Sequence, residues 1–237
     1  LMMKYFSLCF LLLLSVSECR AETLTLATFP IPLMVESKDE GIFIELAQAL
    51  AQEAELELNI IVLPPLRTLQ EFAADKVDGI FPGLSVNMPG NYERSDSVYV
   101  KRDYAFTTKG KPLLVTIDDL LGKYVGITAG YPYVKALTDR DGIYLEYANS
   151  DEQNVKKLLA GRIDVFVVEE KSGLKAFENN GSSDNLLYNP ERPLSEQDVF
   201  FAFQNNDRGK YLVNIINEAL SRLKNDGTLD NIMSKAK

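Results

Sequence analysis

Two stretches of this sequence decide its fold: KVDGIF at residues 76–81 and RIDVFV at residues 162–167. Each begins with a cation and an aspartate and continues into a short apolar run, the composition of a buried strand that follows a polar turn. The elements predicted upstream of the two stretches also occur in the same order. This repetition predicts two similarly built halves.

The chain before each stretch alternates strands with helices. The first unit has predicted strands at 24–28, 56–62 and 77–81 and helices at 42–54 and 66–74. The second has predicted strands at 124–128, 143–147 and 163–168 and helices at 131–137 and 151–159. A βαβαβ order favours a largely parallel sheet with helices on its faces. The sequence therefore predicts an α/β fold of two lobes.

The C-terminal part does not start a third unit. It carries a predicted strand at 199–203 and a helix from Gly209 whose apolar face ends at Asp226-Gly227, a favourable C-terminal cap. This segment must pack on an existing lobe, so the chain crosses between lobes twice, near 104–108 and near 195–201. The predicted bounds are 22–106 for the first part of lobe 1, 107–196 for lobe 2 and 197–237 for the return to lobe 1.

Composition excludes several functional classes. The 237 residues contain Lys+Arg 25 against Asp+Glu 34, a formal net charge of −9, which argues against nucleic acid as a partner. The absence of histidine excludes Ser-His-Asp and Cys-His nucleophiles, imidazole bases and histidine-containing zinc sites. Any chemistry would have to run on carboxylates, lysine, tyrosine or serine. Our expectation for the whole chain is no catalytic residue, no metal and no cofactor.

The N-terminus has the pattern of a secretory signal peptide. Lys4 precedes an apolar run at 5–16, and Cys19-Arg20-Ala21 places small residues where a signal peptidase cleaves. We predict a signal peptide over 1–21, with an uncleaved anchor as the alternative. Both cysteines lie inside this segment, so the exported chain has no disulfide and depends on its core for stability.

Five loops follow predicted strands, at the edge where parallel sheets bind ligands. They are residues 29–32, 64–67, 82–85, 130–133 and 169–170. Phe29, Tyr131 and Tyr133 either form aromatic walls for a ligand or cover the ends of the sheet. Arg67 either holds a carboxylate or is a solvated helix residue. Ser85 either donates to an anion or serves a turn.

Glu169 is the most informative of these positions. It directly follows a buried strand, so its carboxylate lies at the mouth of a sheet and suits an ammonium group. The alternative is an N-cap for the next helix, but glutamate is a poor N-cap, which favours the binding interpretation. Asp78 and Asp164 stand at strand starts and are expected to be structural.

Several short motifs, in order, carry a resemblance to a known family. They are Thr25-Leu26-Ala27-Thr28, Gly41-Ile42-Phe43-Ile44-Glu45, Val77-Asp78-Gly79-Ile80, Gly122-Lys123-Tyr124-Val125-Gly126-Ile127, Gly161-Arg162-Ile163-Asp164 and Asp226-Gly227-Thr228-Leu229. With the signal peptide, they make the chain similar to the periplasmic solute-binding proteins of polar amino acid ABC transporters, from about Leu24 to Met233. The resemblance implies a two-lobed periplasmic-binding-protein fold, joined by two crossovers, that closes on a ligand.

The resemblance also implies site residues and their roles. Phe29 and the Pro65-Leu66 loop fall where the family places aromatics that contact the ligand side chain. Pro82, Gly83 and Ser85 fall in its serine-rich loop, Pro132 and Tyr133 at its carboxylate-binding helix N-terminus, and Glu169 at the acid that holds the ligand's amino group.

The chain departs from the family at the carboxylate-binding arginine. Gly90 or its neighbours occupy that place, and Arg94 comes later, so Arg67 or Arg94 is the candidate replacement. Pro82 and Gly83 also stand in place of hydroxyl residues, which indicates a shift in specificity towards another amine-bearing or small polar solute.

The resemblance implies a monomeric periplasmic protein, not an enzyme, that captures a small polar solute, an amino acid or a related amine or carboxylate, for the membrane permease of an ABC transporter. Two alternatives stay open. One is a dehydratase-like enzyme on the same fold with Glu169 as general acid. The other is a ligand-sensing module for a signalling partner.

Overall fold

The computed structural model describes residues 22–235, so the predicted signal peptide at 1–21 lies outside the described residues. The strands are β1 Thr23–Thr28, β2 Glu57–Val62, β3 Gly79–Gly83, β4 Tyr92–Arg94, β5 Tyr99–Thr108, β6 Tyr124–Thr128, β7 Tyr144–Ala148, β8 Val165–Glu169, β9 Leu186–Leu187 and β10 Ser195–Gln204. The α-helices are α1 Ile42–Glu53, α2 Pro65–Ala73, α3 Lys135–Thr138, α4 Asp151–Leu159, α5 Glu170–Asn179, α6 Asp207–Asn225 and α7 Thr228–Ser234. Within residues 22–235, no helix combines the length and the apolar character that crossing a membrane requires.

The strands form two parallel groups joined by a pair of long strands. The order is β2-β1-β3-β10-β5-β8-β6-β7, with β4 beside β10 and β9 beside β5. β1 pairs in parallel with β2 and β3, and β6 pairs in parallel with β7 and β8. Each group is flanked by helices, which confirms the predicted α/β fold of two lobes. The first lobe contains β1 to β4, and the second contains β6 to β9.

The two stretches that repeat in the sequence make the same backbone contacts. The Asp78 N–H donates to the Thr25 carbonyl at 3.0 Å, and the Asp78 carboxylate accepts from the Thr25 N–H at 2.8 Å. Asp164 makes the equivalent two contacts with Tyr124, both at 2.8 Å. Each aspartate therefore fixes the start of a neighbouring parallel strand, in the structural role that the sequence indicates.

The lobes are connected through β5 and β10, ten residues each. These strands pair antiparallel from Tyr99↔Val199 to Asp103↔Ser195. β5 then continues beside β8 in the second lobe, while β10 continues beside β3 and β4 in the first. Residues 104–108, where we predicted the first crossing, already pair with β8 and β9. The paired strands that link the lobes therefore begin five residues earlier.

Helix α6 belongs to the core of the first lobe. Its buried residues Leu212, Ile216 and Leu220 share one hydrophobic cluster with α1 and β1. In the same cluster, the rings of Phe81 and Phe201 stack with their centroids 3.9 Å apart. The C-terminal segment thus packs on the half of the molecule that contains the N-terminal strand.

One predicted helix is shorter than expected. We predicted a helix over 131–137, but α3 begins only at Lys135. Pro132 has no N–H to donate and disfavours a helical conformation at Tyr131. The Tyr133 hydroxyl accepts from the Thr128 N–H at 3.0 Å and donates to the Val167 carbonyl at 3.1 Å, which holds its ring in the core. The prediction that Tyr131 to Tyr133 form a helix N-terminus is therefore wrong.

Candidate functional site

A cavity lies between the two lobes, where the carboxyl ends of their parallel strands face each other. The first lobe lines it with Phe29, Ile31, Met34, Phe43, Pro82 and Leu84, and the second with Tyr131, Pro132, Glu169 and Ser172. The long strands contribute Tyr99, Lys101 and Val199. The cavity volume is about 70 Å³, below the roughly 300 Å³ at which ordinary ligand pockets begin. The walls must therefore separate to admit a solute.

Glu169 is buried at the end of β8 and lines this cavity. One carboxylate oxygen accepts from the Ser172 N–H at 3.0 Å, and the other accepts from the Tyr99 hydroxyl at 2.8 Å. Glu169 is thus the N-cap of α5 and also part of the cavity wall, so the two roles that the sequence left as alternatives coexist. Burial, and then the charge of Glu169, raises the pKa of Tyr99 well above its ordinary value. The Tyr99 hydroxyl therefore remains a donor.

Tyr131 connects the cavity wall to a buried carboxylate behind it. Its hydroxyl donates to Asp151 at 3.3 Å, and Asp151 also accepts from the Thr128 hydroxyl. Asn154 in turn donates to that hydroxyl at 3.1 Å. Burial raises the pKa of Asp151 from its usual 3.8 to about 6, although the two hydroxyl donors favour the charged form.

The raised pKa of Asp151 predicts a pH-dependent stability. The folded state holds this proton more tightly than the unfolded chain, so the free energy of unfolding falls as pH rises from about 4 to about 6. Replacing Asp151 with asparagine removes this contribution. We expect the parent to lose about 2 kcal/mol relative to Asp151→Asn between pH 4 and pH 7, measured by urea unfolding. The exposed Asp141→Asn is the control, and parallel parent and Asp151→Asn curves would contradict the prediction.

A second buried polar cluster lies on the long strands at the floor of the cavity. The Lys101 ammonium donates to the Asp103 carboxylate and, at 3.2 Å, to the carbonyl of Pro132. From β10, Ser195 donates to Asp103 at 3.0 Å and Gln197 donates to the Pro132 carbonyl at 3.0 Å. The second-lobe loop that contains Pro132 is therefore bonded to both strands that link the lobes.

The structure brings five of the nine predicted site residues together in the cavity: Phe29, Pro82, Tyr131, Pro132 and Glu169. The other four lie outside its lining. Arg67 is exposed on α2 and paired with Glu71 at 2.5 Å. Ser85 is exposed and Tyr133 is buried in the core. Gly83 lies inside β3, where a β-carbon would lie 3.0 Å from the ring of Phe200.

Arg94, the other candidate for the carboxylate, also lies outside the cavity lining. It pairs with Asp198 at 3.3 Å and stacks over the Phe200 ring. Sequence reasoning missed Tyr99 and Lys101, which do line the cavity. Residues 99–106 place three consecutive charged residues, Lys101 to Asp103, between apolar and aromatic ones, so no alternation marks this segment as a strand.

Comparisons with known proteins identify the family of this chain. The family described as "Bacterial extracellular solute-binding proteins, family 3" matches residues 25–236. The chain is 24% identical over 217 residues to the "Probable amino-acid-binding protein YxeM" of Bacillus subtilis, an alignment that covers 88% of this chain and 80% of that protein. It is 24% identical over 206 residues to the "Lysine/arginine/ornithine-binding periplasmic protein" of Escherichia coli, covering 82% and 78%.

A solved structure shows the same fold. The "Histidine Kinase Sensor Domain with Similarity to Periplasmic Binding Proteins" superposes with a TM-score of 0.74 at 18% identity, covering 91% of this chain and 96% of that chain. At this level of identity the likeness concerns the fold alone. The same fold therefore also occurs in a sensor domain.

Proposed function

The chain belongs to the bacterial extracellular solute-binding proteins of family 3, and we propose that it captures an amino acid between its lobes and delivers it to the membrane permease of an ABC transporter. The observation that carries this proposal is the burial of Glu169 in the wall of a cavity that both lobes line. The curated relatives described above are named as amino-acid-binding proteins, which supports the same ligand class. Family membership further supports export to the periplasm and action as a monomer that catalyses no reaction.

The cavity supplies what capture of an amino acid requires. An ammonium group at Glu169 exchanges hydration for a charge-assisted hydrogen bond, which is stronger than a neutral one. The carboxylate is already oriented by Tyr99 and Ser172, so little freedom is lost on binding. Phe29 and Tyr131 come from opposite lobes and can both contact the ligand only when the lobes are close. Binding energy therefore favours the closed arrangement.

A ligand screen tests this function. An L-amino acid at about 100 times its dissociation constant is expected to raise the free energy of unfolding by about 2.7 kcal/mol, seen as a higher melting temperature. The lobes of the ligand-free protein must stand apart to admit a solute, so the same ligand should decrease the radius of gyration in X-ray scattering as the lobes close around it. Glucose, which carries no charge, is the control. No melting shift with any amino acid, or an unchanged scattering profile at saturation, would contradict the proposal.

An assay of ligand uptake by cells distinguishes a role in transport from a role in sensing. We expect cells that lack this protein to lose high-affinity uptake of the radiolabelled ligand and to regain it when the gene is restored. Unchanged uptake, together with tight binding by the purified protein, would instead support the sensing role.

A further inference from the structure

Two charged side chains line the cavity, one of each sign. Lys101 lies on β5 and Glu169 at the end of β8, and both are more than nine-tenths buried. The other lining residues are apolar or aromatic, apart from Ser172. Among the described residues, the cavity wall therefore carries one positive and one negative group, as an amino acid zwitterion does.

The Lys101 ammonium retains capacity to bind a ligand. A lysine ammonium has three N–H donors, and the described residues supply two acceptors, the Asp103 carboxylate and the Pro132 carbonyl. The Asp103 carboxylate also accepts a hydrogen bond from the Ser195 hydroxyl, so its negative charge is shared between donors on both long strands. The ammonium also lies 5.3 Å from the centroid of the Tyr133 ring, and its third N–H has no hydrogen-bond acceptor among the described residues.

The two arginines that the sequence suggested as carboxylate-binding residues differ from Lys101 in their surroundings. Arg67 and Arg94 pair with Glu71 and Asp198, and more than two-fifths of each arginine side chain is exposed to solvent. Neither lines the cavity. Of these three cationic side chains, Lys101 is the one that lines the cavity.

We propose, as a refinement that rests on the proposed function, that Lys101 binds the carboxylate of an amino acid whose ammonium group binds Glu169 and whose side chain is uncharged and apolar. Once both charges are matched by the backbone groups of the ligand, a third charge has no partner in the cavity wall. A cationic side chain would find no second carboxylate among the residues that line the cavity, and an anionic one would find no second cation there. An unpaired buried charge is strongly unfavourable.

The apolar part of the wall suits such a side chain. Phe29, Phe43, Leu84 and Val199 approach from the first lobe and from β10. The ring of Phe43 lies edge-on to Tyr99, with centroids 6.0 Å apart, so the aromatic surface continues up to the hydroxyl that bonds Glu169. Burying an aliphatic side chain against this surface is favourable by about 25 cal/mol per Å² of apolar area.

Calorimetry with four probes tests the selectivity: L-leucine, leucinamide, L-arginine and L-glutamate. We expect leucine to bind and each other probe to bind roughly 100-fold more weakly or worse, because it lacks the carboxylate or adds an unpaired charge. Arginine or glutamate binding as tightly as leucine would overturn the refinement and leave the proposed function standing. Failure of every amino acid to bind would instead overturn the proposed function.

Variants test the role of Lys101 directly. Lys101→Met alone would leave Asp103 as a buried unpaired charge, so the informative variant is Lys101→Met with Asp103→Asn, which removes both charges together. Circular dichroism checks that it folds, and it should no longer discriminate leucine from leucinamide. Lys101→Arg keeps the cation and should still discriminate. Discrimination that survives in a folded double variant, or is lost in Arg67→Ala, would overturn the assignment to Lys101.

Discussion

Replacing Glu169 with glutamine is expected to weaken amino acid binding by about 3 to 5 kcal/mol, because the ligand's ammonium group would be buried without its counter-charge. The amide oxygen of glutamine can still accept from the Ser172 N–H, so the N-cap of α5 persists. The effect should therefore appear in the affinity, measured by calorimetry, and much less in the free energy of unfolding.

Glu170→Gln is the matched control for this experiment. Glu170 is the next residue along the chain and accepts from the Tyr188 hydroxyl at 3.0 Å, but it does not line the cavity. Its replacement should leave the affinity nearly unchanged. If Glu169→Gln is folded and binds as tightly as the parent, Glu169 is not part of the binding site.

The fold was predictable because its evidence is local. The apolar run of β8 identifies a buried strand within a few residues, and Glu169 stands out because it ends that run. Asp78 and Asp164 were interpretable for the same reason, since each follows a turn that recurs in the other half. The periodicity of the apolar residues, the capping residues and the position of a side chain at the end of a strand were sufficient to predict these elements.

The floor of the cavity was not predictable because its burial is created at long range. Lys101 and Asp103 are two residues apart and lie on one face of β5, and in sequence such a pair is typical of a solvated strand. They become buried only when β10, more than ninety residues later, pairs with β5. Arg67 shows the opposite case, since it lies outside the cavity lining and its partner Glu71 is one helical turn away on the same helix.

The same long-range burial leads to a second large effect, on stability. Replacing Asp103 with asparagine is expected to lower the free energy of unfolding by about 3 to 5 kcal/mol, because the Lys101 ammonium would remain buried beside a neutral amide. Urea unfolding measures this as a lower midpoint without a change in slope.

The double variant Lys101→Met with Asp103→Asn separates this charge effect from a simple packing effect. With both charges removed, no ion is left unpaired. Most of the lost stability should therefore return, because replacing both partners of a buried ion pair with uncharged residues often costs little stability. Asp198→Asn, which breaks the half-exposed pair between β10 and Arg94 on β4, should cost no more than about 1 kcal/mol. If Asp103→Asn is no more destabilising than Asp198→Asn, then Asp103 does not compensate Lys101, and the positive charge of the cavity floor must be balanced in another way. If Asp103→Asn is the more destabilising variant, the Lys101–Asp103 pair compensates a buried charge in the cavity floor. The same pair, which is bonded to the Pro132 loop, then also fixes the position of the ammonium group that faces the ligand.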